Sequence, residues 1–189
     1  METVSKTTYA DYLKIDDGKQ YEVIEGDLKM VPAPNFKHQG ISYNLSDILR
    51  AYIKSMNLGV IRYAPIDVVL DKTNVVQPDL VFVSKERASI INEDGGILGV
   101  PDLVIEIISK GSKYIDTYKK KDLYEKFGIK EYWLVDPFSQ SVEVLILEQN
   151  NKYDLFSEAY IEEDANKIIR SKILENLEIN VEEVFKKDW

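Results

Sequence analysis

Cysteine is absent from the 189-residue sequence, and histidine occurs once, as His38. Without cysteine there is no disulfide framework, no thiolate nucleophile and no zinc site built on cysteine. Long apolar runs are also absent, since no stretch approaches the roughly 18 apolar residues that predict a transmembrane helix. The first 15 residues are mixed and polar, unlike a secretory leader. We therefore expect a cytoplasmic protein with no membrane association.

Positive charge is scarce over the whole chain, which has 24 Lys and Arg against 33 Asp and Glu and a net charge of −9. Nucleic-acid binding is driven largely by Lys and Arg, so this total argues against it. The distribution is uneven, however, because seven lysines and three acidic residues lie between Lys110 and Lys130, a local excess of four positive charges. This run is either a solvated helix face or a surface that contacts phosphates.

The order of predicted elements favours an α/β or α+β protein with a mixed sheet. YEVIEGDLKMV predicts an N-terminal β-hairpin, and Asn35 predicts the N-cap of a long amphipathic helix. QPDLVFV and PDLVIEII predict strands, a helix follows that ends at Gly128, and further strands fill the C-terminal part. The length and the 44% hydrophobic content predict one domain over residues 1–189.

Acidic residues lie at or within two of the predicted strands. Glu106 interrupts an apolar strand, where a lone carboxylate is costly unless a cation or a hydrogen-bond network compensates. Asp102 lies four residues earlier, about 13 Å away along the same strand, so these two side chains cannot share one ion. Asp79 begins a different strand and can approach Glu106 if the strands are neighbours. Two carboxylates with a backbone carbonyl and water suit Mg²⁺, so Asp79 and Glu106 are the predicted metal ligands.

Lys120 is the lysine with the best geometry for a role beside this site. At about 100° per residue it points close to the centre of the apolar stripe of the predicted helix, whereas Lys119 and Lys121 point about 90° or more away. Its alkyl stem could instead pack against the stripe while the ammonium reaches solvent. We predict a catalytic Lys120.

His38 and Glu22 are possible supporting residues. His38 falls in the first turn of the long helix on its apolar side, and Glu22 lies within the first hairpin strand. Each could orient the site without touching the metal, or could be a hydrogen-bonded structural residue.

Several segments together resemble a known family. YEVIEGDLKMVPAP, His38, QPDLVFV, PDLVIEIIS, Asp116 with Lys120, and GIKEYWLVDP occur in the order of the Uma-two family of restriction-endonuclease-like proteins, within the PD-(D/E)XK nuclease superfamily. The similarity covers about residues 21–137, which would be the nuclease core, and residues 138–189 would be an extension of strands. The superfamily pattern places a lysine two residues after the second acid, where this chain has Ile108. The family resemblance identifies Lys120 as its replacement.

The resemblance implies a restriction-endonuclease-like fold and a Mg²⁺-dependent endonuclease that hydrolyses phosphodiester bonds of DNA, with Mn²⁺ as a substitute. The protein metal ligands would be Asp79, Glu106 and the carbonyl of Ile107. Duplex DNA is the expected partner, and a homodimer is expected because many DNA-cleaving enzymes pair their sites. Two alternatives remain: a catalytically silent module that binds DNA or a protein, and a hydrolase of small phosphate or other esters. The expected DNA contacts come from the lysines around the helix: Lys110, Lys113, Lys119 and Lys121.

Overall fold

The computed structural model of the protein describes residues 6–111 and 114–187. Within them, one long helix is accompanied by shorter helical segments. None of the described helices is both long and apolar enough to cross a membrane. The helices are α1 (Tyr9–Tyr12), α2 (Phe36–Ser55), a 3₁₀ helix (Lys85–Ile90), a π-helix (Ile115–Lys120), α3 (Lys121–Phe127) and α4 (Val181–Val184).

The predicted N-terminal hairpin is confirmed. Strands β1 (Tyr21–Ile24) and β2 (Asp27–Met30) pair antiparallel, and Glu22 lies directly opposite Lys29. The connection consists of Glu25 and Gly26, both with positive φ (55° and 88°). Two such residues form the turn that matches the twist of paired strands, which explains why the Glu-Gly pair closes the hairpin here.

The hairpin forms the edge of the first of two six-stranded sheets in the described part of the chain. Its strand order is β2-β1-β5-β4-β8-β7, and all neighbours are antiparallel except β4 and β8. The additional strands of this sheet are β4 (Val68–Asp71), β5 (Asn74–Val76), β7 (Ile91–Asn92) and β8 (Gly96–Leu98).

The second six-stranded sheet of the described residues carries the strands on which the metal-site prediction rests. Its order is β12-β11-β10-β9-β6-β3, with β9 and β10 parallel and the other neighbours antiparallel. A parallel pair needs a crossover, and the π-helix and α3 form that crossover over the sheet. The strands are β3 (Gly59–Tyr63), β6 (Leu80–Ser84), β9 (Leu103–Ile107), β10 (Glu131–Asp136), β11 (Ser141–Leu147) and β12 (Tyr153–Tyr160).

Helix α2 begins as predicted, because the Asn35 side chain accepts a hydrogen bond from the backbone N–H of His38. Its buried residues are Ile41, Leu45, Leu49 and Ile53, spaced as one face of a helix. Met56, the C-cap residue of the helix, is 54% exposed.

Apolar side chains cover the second sheet on both faces. Helix α2 packs on one face together with the C-terminal segment, which includes β13 (Ile168–Arg170), β14 (Glu178–Asn180) and α4. Helix α3 and the first sheet pack on the other face. The alternation along β9 places Val104 and Ile108 on the α3 side, and Glu106 shares that direction. All five residues of β9 are buried, as predicted for a central strand.

The mixed α+β fold class is therefore confirmed, with the hairpin and the extra C-terminal strands. The predicted continuous α-helix before Gly128 is wrong in detail, because residues 115–120 are wound as a π-helix and only residues 121–127 are α-helical. Gly128 ends the helix as predicted, with φ of 79°.

Candidate active site

Asp79 and Glu106 are brought together by neighbouring strands. Strands β6 and β9 pair antiparallel, with Leu80 opposite Ile105, so the residue before β6 meets the end of β9. Oδ2 of Asp79 accepts a hydrogen bond of 2.7 Å from the backbone N–H of Ile107. Glu106 is buried, whereas the side chain of Asp79 keeps 18% of its surface exposed. The condition for a shared site, that the two strands are neighbours, is thus met.

Lys120 lies inside the protein, as its predicted direction required. Its side chain is 6% exposed, and its Nζ lies 2.8 Å from Oε1 of Glu22 and 2.9 Å from Oε1 of Glu106. Asp116, one turn earlier, lies 3.8 Å away. Lys119 is exposed and Lys121 is half-buried, so the crossover helix turns only the middle lysine fully inward. We name the buried set Glu22, Glu106, Asp116 and Lys120 the lysine cluster.

Hydrogen-bond donors from the rest of the fold hold the lysine cluster. The hydroxyl of Tyr124 donates to Oε1 of Glu106 at 2.7 Å, and the backbone N–H of Gln77 donates to Oε1 of Glu22 at the same distance. The hydroxyl of Tyr132 donates to the backbone carbonyl of Asp116 at 2.9 Å. Tyr124 and Gln77 thus fix the carboxylates of Glu106 and Glu22, and Tyr132 fixes the backbone at Asp116, which favours a preorganised site.

The lysine cluster was found only in part from the sequence. Glu22 was considered as a supporting residue, but no role was predicted for Tyr124 and none beyond the family pattern for Asp116. Both lie four residues from Lys120, a spacing that puts side chains on the same helix face. This four-residue spacing from Lys120 was the sequence signal that could have placed Asp116 and Tyr124 in the site.

His38 bridges the two strands at the open end of the site. Its Nε2 lies 3.2 Å from Oδ2 of Asp79 and 3.1 Å from the carbonyl oxygen of Ile107. Among the described residues, its buried Nδ1 has no hydrogen-bond partner. Burial acts to lower the pKa of His38, but the hydrogen bond and charge of Asp79 outweigh it, so the pKa is raised. The His38 imidazole therefore stabilises the carboxylate of Asp79 through direct contact.

Electrostatics in the lysine cluster favour a charged Lys120. Burial acts to lower the pKa of Lys120, yet Glu106, Glu22 and Asp116 together raise it well above 10.5. Burial raises the pKa of Glu106 well above 4.5; Lys120 opposes this, while Asp116, Asp79 and Glu22 reinforce it. An ammonium with a raised pKa is a poor general base, so Lys120 can donate hydrogen bonds and positive charge.

The site is rich in carboxylates. Those of Asp79 and of the three acids of the lysine cluster lie around one ammonium and one imidazole. The burial that raises the pKa of Glu106 favours its neutral form when no cation is bound. A divalent cation bound at this carboxylate would favour the ionised form.

The residues near Asp79 supply oxygen donors. Oδ2 of Asp79 and the carbonyl oxygen of Ile107 both contact Nε2 of His38, so the two oxygens lie close together, and Glu106 precedes Ile107 on the same strand. In residues 6–111 and 114–187, no group of three or more His, Asp or Glu side chains is arranged to hold a metal. Hard oxygen donors from two carboxylates and one carbonyl, completed by water, are the type of set that Mg²⁺ accepts.

The predicted DNA-contacting lysines lie around this site with different exposure. Lys110, three residues after β9, and Lys119, in the π-helix, are exposed. Lys121 is half-buried, and Lys113 lies outside the described residues. Asp102, predicted to be too far from Glu106 to share an ion with it, is buried and engaged by Lys130 at 2.7 Å and by the backbone N–H of Ser84 at 2.9 Å. Its contacts are those of a structural residue.

Comparison with known proteins identifies the family. A family model described as "Uma2: Putative restriction endonuclease" matches residues 9–182. The chain belongs to the Uma2 family. No similar sequence was found among curated proteins. A solved structure, that of a "putative nuclease belonging to DUF820" from Anabaena variabilis, is similar with a TM-score of 0.72 and 23% identity, over 94% of this chain and 97% of that one.

Membership of the Uma2 family confirms the predicted resemblance, and the similar structure confirms the nuclease-like fold. At 23% identity the similarity to the Anabaena protein establishes the fold alone. The family description supports a nuclease as the coarse activity.

Proposed function

We propose that this protein is a Mg²⁺-dependent endodeoxyribonuclease that hydrolyses phosphodiester bonds of DNA. The observation that carries the proposal is the burial of the Lys120 ammonium against Glu106, on the strand next to Asp79. Two acids and a lysine on adjacent elements make up the set expected for metal-assisted phosphoryl hydrolysis. Membership of the Uma2 family and the fold support the same class of reaction.

The metal would be held by Asp79, Glu106 and the backbone carbonyl of Ile107. When bound there, Mg²⁺ would supply Lewis acidity and a water of lowered pKa. Lys120 keeps its proton, so it would donate a hydrogen bond to the attacking water or to a phosphoryl oxygen and stabilise the developing negative charge. His38 would orient Asp79 and the Ile107 carbonyl, because its Nε2 contacts both oxygens.

DNA is the proposed substrate because the exposed lysines supply positive charge close to the site. Lys110 follows the strand that carries Glu106, and Lys119 precedes Lys120 directly. The acidic remainder of the chain would limit the affinity and keep the contact local. A homodimer in the cytoplasm, with one site for each strand of a duplex, is part of the proposal.

A catalytically silent module that binds nucleic acid is the second candidate. The observation that favours it is that protein donors already engage both carboxylates proposed as metal ligands: the N–H of Ile107 donates to Asp79, and the hydroxyl of Tyr124 donates to Glu106. In this case the lysine cluster would be a structural network, and the exposed lysines alone would carry the function.

A DNA-cleavage assay distinguishes the nuclease from the binding module. Supercoiled, linear and single-stranded DNA would be incubated with the wild type in Mg²⁺, in Mn²⁺ and in EDTA, beside Asp79→Asn, which keeps the shape of the side chain. The nuclease proposal predicts cleavage by the wild type with either ion and none in EDTA or by Asp79→Asn. Binding without cleavage under all of these conditions favours the module.

A further inference from the structure

Lys29, for which no role was predicted, lies beside the lysine cluster. It is directly opposite Glu22 in the β1–β2 hairpin, and directly opposed residues of an antiparallel pair project to the same face of the sheet. Glu22 contacts Lys120, so Lys29 stands next to the cluster on the outer strand of the hairpin. Its side chain is half-buried.

Lys119 meets Lys29 across a small cavity. The cavity has a volume of about 220 Å³ and lies between the hairpin and the helix, with Lys29, Lys119 and Lys126 among its lining residues. Lys119 is the residue before Lys120, so Lys29 on the hairpin and Lys119 on the π-helix both lie near the buried ammonium.

Among the described residues, no carboxylate lies at ion-pair distance from the ammonium groups of Lys29 and Lys119. Glu25, Asp27 and Asp122 also line the cavity, yet none of them forms an ion pair within 4.0 Å with either lysine. Burial lowers the pKa of Lys29 and the nearby Lys119 lowers it further, which together outweigh the opposite effects of Asp27 and Glu22. Two like charges brought together in this way are unfavourable unless an anion lies between them.

We propose that Lys29 and Lys119 form a binding site for a DNA backbone phosphate beside the lysine cluster. This inference rests on the proposed function for the identity of the anion, and it adds a residue of the hairpin to the DNA-binding surface. A phosphate held between the two lysines would position the DNA strand beside the lysine cluster that contains Glu106. The hairpin would thereby contribute to positioning of the substrate as well as to the fold.

The experiment measures binding without cleavage. The affinity of the full-length protein for a fluorescent 20-base-pair duplex would be measured by anisotropy in EDTA, at several salt concentrations. The variants would be Lys29→Ala, Lys119→Ala and, as a matched control, Lys126→Ala. Lys126 lines the same cavity and carries the same charge, but its ammonium lies over the ring of Phe127, 5.7 Å from the centroid.

The proposal predicts that Lys29→Ala and Lys119→Ala each weaken binding by about tenfold at low salt. Each should also reduce the magnitude of the slope of log K against log salt concentration by about one. Lys126→Ala should bind nearly as the wild type does. Equal affinities for all three variants, or no binding by the wild type at low salt, would overturn the phosphate site. Cleavage by the wild type is scored separately with Mg²⁺, so a lack of cleavage combined with the predicted binding pattern would reject the nuclease and retain the phosphate site.

Discussion

Nζ of Lys120 lies 2.9 Å from Oε1 of Glu106, and both side chains are almost completely shielded from solvent. The contact joins the crossover helix to the central strand β9, so the lysine belongs to the same site as the acid without being near it in sequence. Because Glu22 also contacts Lys120, the hairpin, the helix and the central strand meet at one ammonium group.

Divalent cations should stabilise the wild type through Asp79 and Glu106. At a Mg²⁺ or Mn²⁺ concentration about a hundredfold above Kd, the free energy of unfolding should rise by about 2.7 kcal/mol. Asp79→Asn and Glu106→Gln should lose this gain, because each removes one charged ligand. Thermal unfolding with and without the ion measures the effect. Equal gains in the wild type and both variants would place the ion elsewhere.

Glu106→Gln should also change the dependence of stability on pH in the absence of metal. Burial raises the folded-state pKa of Glu106 above its ordinary value of 4.5, so the native state binds more protons than the unfolded state between these two values. The stability of the wild type should therefore fall, relative to Glu106→Gln, as the pH rises above about 4.5. Urea unfolding from pH 4.5 to pH 8 measures this difference. If the difference in free energy of unfolding between the wild type and Glu106→Gln stays constant over this pH range, the pKa of Glu106 is not raised in the folded state.

Tyr124→Phe should alter the acid side of the pH–activity profile. Its hydroxyl donates to Glu106, and loss of a donor to a carboxylate raises the pKa of that carboxylate. The lower limb of the cleavage profile should therefore move to higher pH. Tyr132→Phe is the control, since it also removes a buried hydroxyl but one that donates to the backbone of Asp116. The same profile for both variants would exclude a positioning role for Tyr124.

Asp102→Ala should destabilise the protein at neutral pH without removing metal binding. Burial acts to raise the pKa of Asp102, but Lys130 and the backbone of Ser84 lower it below 3.8. The stability from these contacts is thus present above pH 3.8 and lost as the pH falls through the folded-state pKa. We expect a loss of about 2 kcal/mol at pH 7 that shrinks below pH 3.8. The control is Asp94→Ala, a substitution at an exposed residue, which should not lower the free energy of unfolding in this way.

Local signals predicted much of the fold. The segment YEVIEGDLKMV marked the hairpin, Asn35 marked the start of α2, and Gly128 marked the end of the crossover helix. Each of these depends on the conformation of a few adjacent residues, which the sequence reveals directly. The inward direction of Lys120 was predicted from its position relative to Tyr124 and its neighbours, since a helix face is also a local property.

Contacts between distant segments could not be predicted in the same way. The meeting of Glu22 with Lys120 requires two sheets to pack with the helix between them, and the sequence does not specify that packing. Lys29 was missed because its relation to Lys119 depends on the same packing. The π-helix over residues 115–120 was missed because it differs from an α-helix only in hydrogen-bond register, for which the residues give no distinct signal.

Cleavage by Lys120→Ala compared with Lys121→Ala tests the central claim most directly. The two lysines are adjacent and carry the same charge, but only Lys120 is buried against Glu106. With Mg²⁺ and a DNA substrate that the wild type cuts, Lys120→Ala should lose about two or more orders of magnitude in rate, and Lys121→Ala should be mild by comparison. Circular dichroism would confirm that both variants are folded. Equal losses in two folded variants would contradict the account, because Lys120 would then act only as part of a basic surface.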